Sequence, residues 1–79
     1  MRHEIKLPPM GEEDEKEADV AVWLVARGDR VEEGTDLLEL TTDKAAFTVP
    51  SPVSGVVTEL VVSEGDEVDV GEILCVVES

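Results

Sequence analysis

Gly28-Asp29-Arg30-Val31-Glu32-Glu33-Gly34-Thr35-Asp36-Leu37 returns 37 residues later as Gly65-Asp66-Glu67-Val68-Asp69-Val70-Gly71-Glu72-Ile73-Leu74. The shared frame is Gly-Asp-x-Val-x-x-Gly-x-x-Leu. Its glycines and aspartates suit turns, and its apolar positions suit short strands between them. The same shift carries Val20 onto Val57 and Val25 onto Val62. Around the prolines the offset is read as 42, with Val49-Pro50 answering Leu7-Pro8. The first half then holds about five extra residues, most simply placed in the segment from Gly11 to Glu17. Two similar halves with one strand-turn-strand order imply pseudo-twofold symmetry, and two units are too few for a solenoid. A two-sheet body closed around one core is the better inference.

Strand signals fill both halves. Ile5-Lys6-Leu7 alternates, and Val20-Ala21-Val22-Trp23-Leu24-Val25 is a longer run matched by Val56-Val57-Thr58-Glu59-Leu60-Val61-Val62. Helical periodicity is absent. The run from Glu12 to Glu17 has no apolar face to bury and reads as a solvated loop. Pro8, Pro9, Pro50 and Pro52 cannot donate to a central ladder, so they mark strand ends or edges. The expected fold is all-β: a flattened barrel or sandwich of two antiparallel sheets, about four strands each, related by internal pseudo-twofold symmetry.

Seventy-nine residues suggest one domain, spanning 1–79. A chain this small hides only roughly 60% of its unfolded surface, which leaves little material for a catalytic cleft. The core must be aliphatic, with one Trp, one Phe and no Tyr. A net charge of −14 excludes nucleic acid and anionic membrane as partners, since phosphates would be repelled and no basic patch offsets this. It suits a monomeric module that meets basic surfaces. Cys75, the one cysteine, sits in an apolar run and reads as a buried structural thiol. No secretory core region or membrane-spanning stretch is visible, which leads to the expectation of a bacterial cytoplasmic or mitochondrial matrix location.

Thr42-Asp43-Lys44-Ala45 lies between Leu37-Leu38-Glu39-Leu40-Thr41 and Ala46-Phe47-Thr48-Val49. A short polar step between two strands is a hairpin turn whose tip faces water. With six cationic residues against twenty acidic ones, a lysine at such a tip stands out. It is a good acceptor for an enzyme-attached prosthetic group. In the second half the position equivalent to this turn is the end of the chain, so symmetry sets Lys44 and the termini at opposite ends of the body.

Taken together, these residues resemble the lipoyl domains of 2-oxo acid dehydrogenase complexes, members of the biotinyl/lipoyl attachment family. The resemblance runs through Ile5-Lys6-Leu7-Pro8, the stretch from Trp23 to Val31, the Asp43-Lys44-Ala45 turn, the stretch from Val49 to Val57, and Gly65-Asp66-Glu67-Val68. Gly28 stands 16 residues before Lys44 and Gly55 stands 11 after it. The resemblance implies the barrel-sandwich hybrid fold and lipoate in amide linkage on Lys44. It also implies a part in an acyltransferase component that is itself non-catalytic. The chain stops at Ser79 without an Ala/Pro-rich linker, from which an excised N-terminal domain is expected. The chemistry would be the cofactor's. A thiamine-diphosphate-dependent decarboxylase would acylate the arm and the acyltransferase core would pass the acyl group to coenzyme A. A dihydrolipoamide dehydrogenase would then reoxidise the arm.

The same resemblance assigns roles. Asp43 and Ala45 flank the lysine for a lipoate ligase or lipoyl transferase to read, and Asp43 can also stiffen the turn. Gly28 and Gly55 serve backbone geometry. Glu12, Glu13, Asp14 and Glu15 match a surface loop through which the decarboxylase chooses its partner, with solvated surface as the alternative. Trp23 reads as packing and His3 has no role. One departure is Thr41, where many lipoyl domains carry Glu; Glu39 shares its face of the strand. Three rivals stand beside this reading. A biotin carrier would have methionines around the lysine, which this chain lacks. A glycine-cleavage carrier is longer. The third is an unmodified interaction module of the same fold. Pyruvate is the default 2-oxo acid, with 2-oxoglutarate and branched-chain acids open.

Overall fold

The computed structural model describes residues 1–9 and 16–79. The described residues form eight strands and no helix: β1 (Arg2–Lys6), β2 (Glu17–Trp23), β3 (Arg30–Val31), β4 (Asp36–Thr41), β5 (Ala46–Pro50), β6 (Gly55–Leu60), β7 (Glu67–Asp69) and β8 (Ile73–Glu78). They make two antiparallel four-stranded sheets, ordered β1-β8-β6-β3 and β5-β4-β2-β7. Hydrogen bonding does not close the described strands into a barrel, so of the two expected forms the molecule is the sandwich.

The repeat is realised in the ladders. Every β2–β4 pair has a β6–β8 pair 37 residues on: Val20 faces Leu40 as Val57 faces Val77, and Trp23 faces Leu38 as Leu60 faces Cys75. Both ladders slip at one residue, Ala21 in the first half and Thr58 in the second. The turns match as well. Asp29 Oδ2 accepts from the Ala26 amide at 2.8 Å, and Asp66 Oδ2 accepts from the Ser63 amide at 2.8 Å. The frame glycines Gly28, Gly34, Gly65 and Gly71 have φ of 94°, 93°, 93° and 91°, a region closed to most side chains.

The proline register is different from the one expected. Ile5 pairs with Cys75 as Val49 pairs with Leu38, so the offset here is 44 and not 42. The hydrogen bonds agree, since the Leu7 amide donates to Glu72 as the Ser51 amide donates to Thr35. Leu7-Pro8 and Val49-Pro50 look alike in sequence, but Pro50 lies inside an edge strand and Pro8 lies beyond β1. The inward-facing residue, and not the proline, sets the register. The first half therefore carries seven extra residues between β1 and β2. Glu17, expected in the loop, opens β2 opposite Asp69.

One aliphatic core lies between the sheets. Leu37, Leu38, Leu40, Val57, Leu74 and Val77 are fully buried, and Trp23, Phe47 and Leu60 pack against its margin. Each such leucine contributes about 1.5–3 kcal/mol through burial. The Trp23 indole donates to the Val62 carbonyl at 2.9 Å, and the Trp23 amide donates to Glu64 Oε2 at 2.9 Å, tying the first half to the second. Cys75 is fully buried and its thiol is pushed up to about 11 by that burial, so it stays protonated and unreactive at neutral pH.

Candidate functional site

The turn between β4 and β5 is built by its first residue. The Thr42 amide donates to the Ala45 carbonyl at 2.8 Å and closes the hairpin. Thr42 Oγ1 accepts from the Lys44 amide at 3.3 Å and the Ala45 amide at 3.2 Å, and its hydroxyl lies 3.3 Å from the Ala45 carbonyl. Asp43, Lys44 and Ala45 stand exposed at the tip while Thr42 is half-buried beneath them. Turn-stiffening by Asp43 was one expectation, but the described hydrogen bonds of the turn come from Thr42 instead.

The symmetry mate of this turn is the pair of termini. The Ser79 amide donates to the Met1 carbonyl at 2.9 Å, in the place of the Thr42–Ala45 bond, and the Met1 ammonium donates back to the Ser79 carbonyl at 2.6 Å. Asp43-Lys44 thus fills in one half the gap that the chain ends leave in the other. The lysine and the termini sit at twofold-related ends.

Gly28 holds its turn at positive φ with open space around it. Gly55 has a different constraint. A Cβ there would meet the Glu78 carbonyl of the neighbouring β8, so only glycine lets the two strands approach. Glu12, Glu13, Asp14 and Glu15 lie outside the described residues.

Beside the lysine turn is a groove of about 200 Å³ bordered by Glu17, Asp19, Thr41, Thr42, Asp43 and Glu67. Asp19 pairs directly across from Thr41, whereas Glu39 is opposite Val22 and Thr48. The carboxylate nearest position 41 in the ladder therefore comes from the neighbouring strand. Pattern-reading along one strand misses it, because the pairing of β2 with β4 brings the two together.

The like charges on this flank repel. Glu17 beside Glu67, with smaller contributions from burial, Asp19 and Asp69, raises the Glu67 carboxyl above the ordinary 4.5. The folded state then binds this proton more tightly than the unfolded one. Its charge is a cost to folding above the raised value, relieved as pH falls through it. Glu67→Gln is therefore expected to raise the melting temperature at neutral pH. The gain should vanish below pH 4.5 and shrink in high salt. Melting curves of both proteins across pH check this; an equal gain at all pH values would contradict the repulsion.

The family model described as "Biotin-requiring enzyme" (Biotin_lipoyl) matches residues 3–77. The chain belongs to the biotin/lipoyl attachment family. Among relatives of this biotin/lipoyl member, the dihydrolipoyllysine-residue acetyltransferase component of the pyruvate dehydrogenase complex from Corynebacterium glutamicum is 39% identical over 98% of the chain. The lipoamide acyltransferase component of the branched-chain alpha-keto acid dehydrogenase complex from Bacillus subtilis is 40% identical over 96%. The chain spans only 11% and 18% of the lengths of those two proteins. The solution structure of the lipoyl domain of the 2-oxoglutarate dehydrogenase complex from Azotobacter vinelandii superposes with a TM-score of 0.75. It is 32% identical, covering 96% of this chain and 95% of that one. The biotin/lipoyl domain described here thus has the lipoyl-domain fold that the resemblance implied, on the two-sheet body expected from its repeat.

Proposed function

We propose that this is a lipoyl carrier domain of a 2-oxo acid dehydrogenase complex, with Lys44 as the attachment residue. One observation carries the reading most: a lysine at an exposed hairpin tip, at the end of the molecule twofold-related to the termini, in a member of the biotin/lipoyl family. Lys44, Asp43 and Ala45 are all exposed, so the residues at the tip fit the group.

The lipoyl group supplies a dithiolane that accepts acyl groups and electrons. The chain's own residues present it. Lys44 provides the nitrogen of the amide and loses its charge. Thr42 fixes the turn, and the twofold arrangement keeps the loaded end clear of the tether. A tether would hold the arm near each partner at an effective concentration on the order of millimolar for short flexible links. The partners are a thiamine-diphosphate-dependent decarboxylase, an acyltransferase core, a dihydrolipoamide dehydrogenase and a lipoate ligase or lipoyl transferase. The domain itself catalyses nothing, acts as a unit over residues 1–79, and works in the bacterial cytoplasm or a mitochondrial matrix.

The relatives named above work with pyruvate, branched-chain and 2-oxoglutarate complexes, so the 2-oxo acid is a matter for experiment; pyruvate is our first choice. The lipoylated domain incubated with decarboxylase components of the three classes, each with its own labelled 2-oxo acid, tests this. Acylation is expected from the pyruvate enzyme at a rate at least about tenfold above the others, a difference of about 1.4 kcal/mol in transition-state recognition. Faster acylation by another class would reassign the complex, and none from any class would overturn the carrier reading.

A further inference from the structure

The hydroxyl of Thr42 has more partners than any other side chain of the turn among the described hydrogen bonds. It accepts from the amides of Lys44 and Ala45 at 3.3 and 3.2 Å and lies 3.3 Å from the Ala45 carbonyl. These contacts span the tip on which Lys44 sits. Its symmetry mate, Ser79, is also a hydroxyl residue, but its Oγ turns to His3 Nε2 at 2.8 Å and not onto a turn. The same strand end therefore carries two different hydroxyl arrangements, and only the Thr42 one is folded over the lysine's own backbone.

We infer that Thr42 is a positioning residue for the modification of Lys44. Its hydroxyl holds the Lys44 and Ala45 amides so that the lysine is offered in one backbone conformation. This rests on the carrier reading above. The step it serves is amide formation from a lipoyl acyl-adenylate. The Lys44 ammonium first gives up a proton, and the free Nζ pair then attacks the acyl carbon. The bond from that carbon to the phosphate oxygen breaks and its pair leaves with the adenylate. A second proton leaves the nitrogen. Thr42 touches none of the reacting atoms. It acts through the backbone, by reducing the conformations the ligase must select from. Without the hydroxyl, the Lys44 and Ala45 amides lose this shared acceptor and the tip samples more conformers.

Thr42→Val keeps the shape of the side chain and removes the hydroxyl, and Thr42→Ser keeps the hydroxyl. With a lipoate ligase, Thr42→Val is expected to lower kcat/KM for the domain about tenfold, equivalent to about 1.4 kcal/mol. Thr42→Ser should restore it to within about twofold, equivalent to about 0.4 kcal/mol. Amide hydrogen exchange at Lys44 and Ala45 should quicken in Thr42→Val and not in Thr42→Ser. That arm needs no ligase, so it stands even if the unsubstituted domain is never loaded, a result that would instead sink the carrier reading. Equal rates in all three proteins would overturn the inference. So would a loss in Thr42→Val that Thr42→Ser does not rescue, since the ligase would then be reading the threonine itself.

Discussion

Lys44→Arg is expected to abolish loading of the domain and leave its fold unchanged. A guanidinium stays protonated at any pH at which the protein is folded, so it offers no free nitrogen pair to an activated acyl group. The substitution keeps the charge and sits at an exposed tip outside the core. The turn hydrogen bonds involve the backbone of residue 44, which arginine retains. Intact mass after incubation with a lipoate ligase should show one adduct on the unsubstituted protein and none on Lys44→Arg, with superimposable melting curves. An adduct of undiminished yield on the variant would place the attachment at Lys6 or Lys16.

The largest effect on stability is expected from Gly55→Ala. A methyl at that position would meet the Glu78 carbonyl oxygen, and Val77 Cγ1 at 3.0 Å. Glu78 is paired on both sides, to Arg2 and to Val56, so its backbone cannot move away without opening the ladder. Overpacking of this kind costs about 3 kcal/mol. That is a large part of the stability available to a domain of this size. The other half provides the contrast. Position 18 is the symmetry mate of Gly55, and there Ala18 buries its methyl at 3% exposure. Urea unfolding of Gly55→Ala should show the midpoint falling with an unchanged slope. Stability within about 0.5 kcal/mol of the unsubstituted protein, the usual range of a neutral surface change, would mean that β6 and β8 separate more easily than their pairing suggests.

The fold was legible in the sequence where chemistry is local. Gly-Asp turns need positive φ at glycine and an aspartate to accept a nearby amide, and both copies show it in Gly28-Asp29 and Gly65-Asp66. The shift of 37 between halves follows from those turns and recurs in the ladders. Two antiparallel sheets and the turn holding Lys44 were readable for the same reason. The register of β1 against β5 was not. Similar Leu-Pro and Val-Pro steps suggested 42, but Ile5 and Val49 occupy the matching inward positions and set 44.

Around the lysine, the exposed tip was legible and the bonds that hold it were not. Asp43 was read as a flank for the ligase that can also stiffen the turn, and the half-buried threonine before it, to which the sequence reading gave no role, accepts from the Lys44 and Ala45 amides. Asp19 lies opposite Thr41 only because β2 pairs with β4, a relation no window along the chain contains. The same holds for Trp23 and Glu64, which meet across the two halves.

The most direct measurement is intact mass with peptide mapping after incubation with a lipoate ligase and, separately, with a biotin ligase. One lipoyl amide is expected, on Lys44 and absent from Lys6 and Lys16, with no biotin adduct. A biotin adduct on Lys44, or no adduct from either enzyme, would contradict this expectation.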